Sequence, residues 1–373
     1  MSEAYDGREV VGMDLHRRRS VLVRMTADGS KLETARMSNS PAGLRRQIAR
    51  AGVSPRVVVE ATYGWYWAAD TLTAAGAEVH LARPLGVQGF AYRRVKNDER
   101  DAADLADLLR MGRLPEAWIA PRPVRELREL TRYRHKLVRA RTSCKDQVHA
   151  VLAKPGVPVT CTDIFGTGGS IWLDGLVLPQ PYAGKVASLR KICALLAGEI
   201  ALLDTAIAGV PEQHGGYQAV RELPGIGPVL AAVIIAEIGD ITRFPGLARL
   251  CSWAGLTPRH RESDVRVSRG HITKQGSRML RWALIEAIQH VPAGARCASA
   301  RTTSSPAAAR RPRTSPRLPR PASCSPGPSM RCAMAGSAAW LPPWRRPGEQ
   351  ARTRAARDRW FYWPPPRAGR PSA

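Results

Sequence analysis

Two short apolar runs in the first sixty residues each lead into an acid: VVGMDL (Val10–Leu15) into Asp14, and RVVVE (Arg56–Glu60) into Glu60. Val-rich runs of five or six residues read as buried strands. Between them, RSVLVRMT and KLETARM alternate in the manner of strands on either side of Ala27-Asp28-Gly29, so the first three strands form a meander. Residues 41–52 then read as a helix, 65–76 as a second, AEVHLAR as a strand, and DERDAADLADLLRMG as a strong helix ending at Gly112. Strands that give way to alternating strands and helices predict an α/β sheet with helices on its faces. We place this domain at residues 8–115.

The acids in this segment form an ordered set. Asp14 ends one strand, Glu60 ends another, and Asp98 and Asp101 open a helix on one face. Neighbouring strands can bring Asp14 and Glu60 to one sheet edge, where a packed helix can add the other two. Converging carboxylates repel unless a cation lies between them, and hard oxygen donors suit Mg²⁺ or Mn²⁺. Two such ions can activate the attacking oxygen and stabilise the leaving one in phosphodiester cleavage. Singly, these acids have plainer uses: Asp98 and Asp101 suit a helix N-terminus, and an Asp at a strand end is commonly a turn residue. Asp104 and Asp107 continue the ladder as solvated groups.

Residues 122–210 read as a helical, coiled-coil-patterned region. Leu130, Leu137, Cys144 and Val151 recur every seven residues, and Leu189, Cys193, Leu196, Ile200, Leu203 and Ile207 alternate spacings of four and three across a Gly- and Pro-rich loop at 155–184. The pair is either an intramolecular hairpin or a dimerisation arm. GTGGS (Gly166–Ser170) lacks the Lys and the preceding strand of a phosphate loop. Residues 215–292 predict a compact, all-α domain. Its LPGIGP segment resembles a helix-hairpin-helix turn, with Gly225 and Gly227 offering backbone N–H groups to a DNA phosphate. The alternative is an ordinary Gly-rich helix connection.

Between Pro258 and Arg281 the chain carries Arg259, His260, Arg261, Arg266, Arg269, His271, Lys274, Arg278 and Arg281, with Ser263 in a polar loop among them. Guanidinium groups can clamp a phosphate. We read Arg259, Arg261, Arg269, Lys274 and Arg278 as candidate nucleic-acid contacts. A serine attacks only when a base, metal or charged site activates it. A serine in a basic loop is more often a turn residue, and the residues alone do not choose between Ser263, Ser268 and Ser277.

The formal net charge is +26, which implies a polyanionic partner, nucleic acid before membrane. No apolar run reads as long enough to span a bilayer, the longest (around Val229–Ile235) being broken by Glu237. The N-terminus lacks the plan of a signal peptide, and seven scattered Cys without CxxC spacing read as reduced thiols. These features place the chain in the cytoplasm. Residues 293–373 hold 16 Arg, 14 Pro, no Lys and two acids. That composition predicts a disordered tail, either a frameshifted C-terminus beginning near Pro292 or a genuine Arg-rich nucleic-acid-binding segment.

Taken in order, VVGMDLH, VVVEATYGW, VKNDERDAADLADLL, LPGIGPVLAAVIIAEIGD and GLTPRHRESDVRVSRGHITKQGSRMLRWAL resemble the DEDD transposases of bacterial insertion sequences, from about Val10 to Val291. Their N-terminal domain is similar to the Holliday-junction resolvase RuvC, which implies an RNase H-like sheet. The resemblance implies that Asp14, Glu60, Asp98 and Asp101 bind metal. It implies that Ser263 attacks DNA to form a phosphoserine link. It also implies a homo-oligomer (dimer or tetramer) acting on element ends and target DNA at the nucleoid, guided by a structured RNA. Two departures stand out. Ser263-Asp264-Val265 replaces the Ser-Gly-Gly of many members, and the helical continuation after Gln289 is absent. If that continuation packs beneath the serine loop, this copy is inactive. A catalytically inactive nucleic-acid-binding relic and a host junction nuclease are the two alternatives; the nuclease would leave the Ser263 block unexplained.

Overall fold

The computed structural model describes residues 7–90, 97–210, 215–264 and 266–291. The chain divides into two units, one up to Pro121 and one from Arg122.

The first unit is built on a six-stranded sheet of order β3-β2-β1-β4-β5-β6. Its strands are β1 (Val10–Leu15), β2 (Arg19–Met25), β3 (Lys31–Ser38), β4 (Arg56–Glu60), β5 (Glu78–Ala82) and β6 (Glu116–Ala117). β1, β2 and β3 are the antiparallel meander, while β4 lies parallel to β1 and β5 parallel to β4. β6, too short to signal itself, adds an antiparallel edge on β5. The order and directions are those of an RNase H-like sheet.

Alternation along the strands sends side chains to two cores. On one face, Val11, Met13, Leu15, Val57 and Val59 pack against Leu44 and Ile48 of α1 (Pro41–Ala49) and Ala68 and Leu72 of α2 (Trp65–Ala74). On the other, Val10, Val21, Val23 and Val58 pack against Ala102, Leu105, Ala106 and Leu109 of α4 (Asp98–Arg110). A one-turn helix, α3 (Pro84–Val87), follows β5. Beside the sheet, Arg24 donates to both oxygens of Glu9 at 2.7 Å and to Glu33 at 2.6 Å. The Glu9 hydrogen bond raises the Arg24 pKa further, against the opposing effect of burial.

The second unit begins with two long helices, α5 (Arg122–Ala153) and α7 (Tyr182–Gly209). They pack on one another within the chain, as an intramolecular hairpin, with Leu189, Cys193, Ile200 and Ile207 of α7 buried. Arg134 of α5 pairs with Asp204 of α7. Two sequence expectations need correction here. The 155–184 segment is not all loop, because Thr167–Asp174 forms α6, whose Leu173 packs with Val148, Val151, Val186 and Leu189 at the hairpin tip. And α7 is long and apolar enough, by length and composition, to cross a membrane. Its apolar length is carried by Ala and Gly between the larger residues, so no single run stood out. It also bears Arg190, Lys191, Glu199 and the ion-paired Asp204.

The remaining core surrounds α9 (Pro228–Ile238), buried from Ala231 through Ile238. α8 (Gly215–Arg221), α10 (Leu247–Trp253) and α11 (Arg278–Gln289) pack with it, through Tyr217, Val220, Leu250, Leu280 and Leu284. This unit is not all-α as expected. β7 (Pro258–Ser263) and β8 (Arg266–Ile272) form an antiparallel two-stranded ribbon. RVSRGHI is exposed along most of its length and carries two Arg and a His with no apolar alternation, so it reads as a basic loop. The expected tail lies outside the described residues.

Candidate acidic centre and basic ribbon

Gly12 sets the geometry of the acidic site. A Cβ built there would lie 1.8 Å from the carbonyl oxygen of Ala102 and 2.9 Å from the nitrogen of Ala106. Only hydrogen fits, so α4 lies directly on β1. Asp14 is two residues beyond Gly12 and on the same face, and Asp98 is one turn before Ala102. The close approach at Gly12 therefore carries Asp98 to Asp14. Asn97 starts the helix there, its side chain accepting from Glu99 N–H at 3.0 Å. Such a cap contributes about 1 kcal/mol. Three acids in the first turn complement the positive helix end.

Asp14, His16 and Asp98 offer ligand atoms that all lie within 4.8 Å of one another. His16 Nε2 is 3.0 Å from Asp14 Oδ2 and 3.4 Å from Asp98 Oδ1. Arg19 lies 3.3 Å from the other Asp98 oxygen, but its side chain is 71% exposed and the pair is weak. Glu60 is half-buried at the end of β4; the last paired couple of β1 and β4 is Met13 with Val59, so the next position beside Asp14 is that of Glu60. Asp101 is half-buried one turn into α4. Neither Glu60 nor Asp101 belongs to the close group among the described residues. Glu99, from the same turn, faces Lys31, Thr34 and Arg36 of β3. The Lys31 hydrogen bond, then that of Thr34, holds its carboxyl below the usual range.

His16 was missed in the sequence, though it closes the VVGMDLH segment two residues from Asp14. Its position is fixed by its backbone. Its N–H donates to Arg19 C=O at 3.1 Å, and its carbonyl accepts from Asn39 Nδ2 at 2.6 Å, Asn39 itself being held by Ser20 Oγ at 2.6 Å. The donor set of two carboxylates and an imidazole, with Glu60 adjacent, fits a divalent cation.

In the second unit, Ser263 ends β7 opposite Arg266, at a turn where Asp264 has φ of 52°. Asp is among the residues that enter this left-handed region at modest cost. Alternation divides the ribbon into two faces. Arg259, Arg261 and Ser263 share one with Arg266 and Ser268, while His260, Glu262, Val267 and Arg269 share the other. All nine residues are exposed. Lys274 and Arg278 are exposed beyond β8.

The alternative serines now differ. Ser277 caps α11 by accepting from Leu280 N–H at 3.0 Å, and donates to buried Glu237 at 2.8 Å. Glu237 also accepts two bonds from Arg132, at 2.7 and 3.0 Å. Burial alone would raise the Glu237 pKa, but Arg132, Ser277 and Arg128 together outweigh it, and the carboxyl lies below its ordinary value. Gly225 has a packing role: a Cβ there would lie 2.2 Å from the Ala287 carbonyl of α11, and its φ is +85°. Gly227 is exposed with open space around it.

Comparison with known proteins points to one family. A DEDD transposase model of the IS110 type matches residues 11–155, and a model of the "Transposase IS116/IS110/IS902 family" matches residues 217–302. A probable family 20 transposase of Pseudomonas aeruginosa is 28% identical over 274 residues, covering 69% of this chain and 79% of that protein. The transposase for insertion sequence element IS1111A of Coxiella burnetii is 26% identical over 61% of this chain and 64% of its own length. Putative transposase y4qE of Sinorhizobium fredii is 27% identical over 66% and 62%. The chain thus spans less than two thirds of the last two relatives. Thermus thermophilus RuvC, solved with a Holliday junction substrate, aligns at 14% identity over 30% of this chain and all of that one, with a TM-score of 0.24. The two family matches, in order along the chain, identify it as a DEDD transposase of the IS116/IS110/IS902 family.

Proposed function

We propose that this chain cleaves and rejoins DNA, using a divalent-metal site at Asp14, Glu60, Asp98 and Asp101 and a nucleophile at Ser263. Residues 8–115 would form the metal-binding domain, 122–210 the helical linker and 215–292 the serine-bearing DNA domain, with residues 293–373 as an appended tail. The observation that carries this reading is the placement of Asp98 beside Asp14 by the Gly12–Ala102 approach, within a chain of this family.

Mg²⁺ or Mn²⁺ held there would supply Lewis-acid stabilisation of phosphoryl oxygens. The carboxylates hold and orient. Arg261 and Arg266, on the face of Ser263, bind the phosphate and offset charge that develops on it. Ser263 Oγ forms a bond to phosphorus, the phosphorus–oxygen bond to one sugar breaks, and that sugar leaves as a hydroxyl carrying a proton. Attack by a second strand's hydroxyl reverses the step and frees the serine. Arg259, Arg269, Lys274, Arg278 and the backbone at Gly225 and Gly227 would contact DNA. A structured guide RNA, a dimer or tetramer, and a nucleoid location belong to the same reading. An inactive nucleic-acid-binding relic is the second reading, supported by the sequence character of residues 293–373.

The test is covalent trapping. Full-length protein, Mg²⁺, labelled element-end DNA and the guide RNA are incubated, quenched in denaturant and resolved on a gel. A protein–DNA band that is lost in Ser263→Ala, and lost without loss of DNA binding in Asp14→Ala, supports the proposal. DNA binding with no band supports the relic, and metal-dependent cleavage with no band supports a plain nuclease.

A further inference from the structure

We propose that His16 is a nitrogen ligand of the acidic centre, so that the site prefers Mn²⁺ to Mg²⁺; this rests on the metal-site reading above. Four observations converge on it.

The first is distance. Donors about 2.1 Å from an ion and at right angles stand about 3.0 Å apart. His16 Nε2 lies 3.0 Å from Asp14 Oδ2 and 3.4 Å from Asp98 Oδ1, the spacing of neighbouring ligands around one ion. The second is alignment. His16 Nε2 and Asp14 Oδ2 make no hydrogen bond to one another at 3.0 Å, and both atoms are shut off from solvent. Ligand atoms gathered around one ion stand in this relation. The third is construction: the β1–β2 turn and the Asn39–Ser20 pair clamp the His16 backbone from both sides. These contacts fix where the His16 Cα stands relative to Asp14. The fourth is sequence position. Asp14 lies near the end of β1 on the α4 face and His16 just past the strand's end, and the ligand atoms of both gather with that of Asp98 at the start of α4.

The chemistry then favours a transition ion. Carboxylates alone suit Mg²⁺, which demands near-ideal octahedral oxygen geometry and retains its waters. An imidazole raises affinity for divalent transition ions more than for Mg²⁺. The competing role for His16 is that of a cationic counter-charge between two carboxylates. The two roles predict opposite signs: loss of a ligand weakens metal binding, whereas loss of a competing cation strengthens it.

The experiment uses the chelator-stripped full-length chain, titrated with Mn²⁺ and followed by electron paramagnetic resonance. Wild type should show nitrogen-14 modulation in the pulsed spectrum of bound Mn²⁺. His16→Ala and His16→Gln should lose that modulation and bind Mn²⁺ roughly tenfold or more weakly, with a smaller change for Mg²⁺ measured by competition. Circular dichroism confirms folding of both variants. Unchanged or tighter Mn²⁺ binding in both variants, or bound Mn²⁺ without nitrogen modulation in wild type, overturns the ligand role while leaving the metal site standing. Wild-type binding no stronger than that of Asp14→Ala overturns the metal site and the His16 proposal together.

Discussion

The carbonyl oxygen of Ala102 stands 1.8 Å from the point a Cβ on Gly12 would occupy. The absence of a side chain there lets α4 lie directly on β1 and sets where Asp98 meets Asp14. Gly12→Ala should therefore move the helix, lowering stability by about 2 kcal/mol or more from overpacking, and weakening metal binding beyond that. Denaturant melts and Mn²⁺ titration of the same variant check both halves. A variant of wild-type stability and affinity would show that the helix shifts without cost.

The Glu237 network should make the second unit acid-sensitive. Its carboxyl is held below its ordinary value in the fold, so its contribution is fully present above the unfolded value of about 4.3. That contribution is lost as pH falls through the folded value. Glu237→Gln should cost about 1–3 kcal/mol at pH 7, and the gap to wild type should narrow progressively as pH falls below the ordinary carboxyl value of about 4.3. Urea melts across that pH range measure it; a gap that is constant with pH would assign the loss to shape alone.

Ser277→Ala removes the α11 cap and a bond to Glu237. We expect a loss of about 1–2 kcal/mol with the covalent DNA band retained below the melting temperature. Ser263→Ala should do the reverse, leaving melts unchanged, since the side chain is exposed at the end of β7, and abolishing the band. Interchanged outcomes would move the nucleophile to Ser277.

The two faces of the ribbon should differ in kind. Arg261→Ala and Arg266→Ala, on the face of Ser263, should slow formation of the covalent band by roughly tenfold or more at saturating DNA. Arg269→Ala, on the opposite face, should weaken binding with little change in that rate. Single-turnover kinetics at several DNA concentrations separate the two effects, and equal rate losses on both faces would refute the division.

Much of the first unit was legible because its signals are local. The β1–β3 meander, β4, β5 and α4 follow from apolar period, from the acids that open α4 and from Gly112 that ends it. Asp14 and Asp98 stood out as acids at element ends. His16 did not, because its meaning depends on which face of β1 receives α4, and that is decided by Gly12 against Ala102, far apart in sequence. The ribbon was hidden for a different reason. A two-stranded element that is exposed on both faces has no apolar alternation to show, so Arg259–Arg269 read as a charged loop. α6 was missed because GTGGS carries loop residues, although Gly166 only precedes the helix and Leu173 anchors it in the hairpin tip.

The arginines of the α9 network have an electrostatic corollary. Arg128 and Arg243 donate to the carbonyls that end α9, Arg132 grips Glu237, Arg134 holds Asp204, and Arg281 donates to the Ala254 carbonyl. Each of them is already engaged by a carboxylate or carbonyl of the fold, so its charge is partly offset or positioned before DNA arrives. Each phosphate neutralised contributes about 0.9 to the slope of log affinity against log salt. Removing Arg261 should lower that slope by about that amount, while removing Arg128 or Arg132 should leave it alone and destabilise the fold instead. For this chain, the salt slope counts the basic residues that reach phosphate, the ribbon arginines among them, and the total of basic residues counts something else besides: how much of the charge is built into the scaffold.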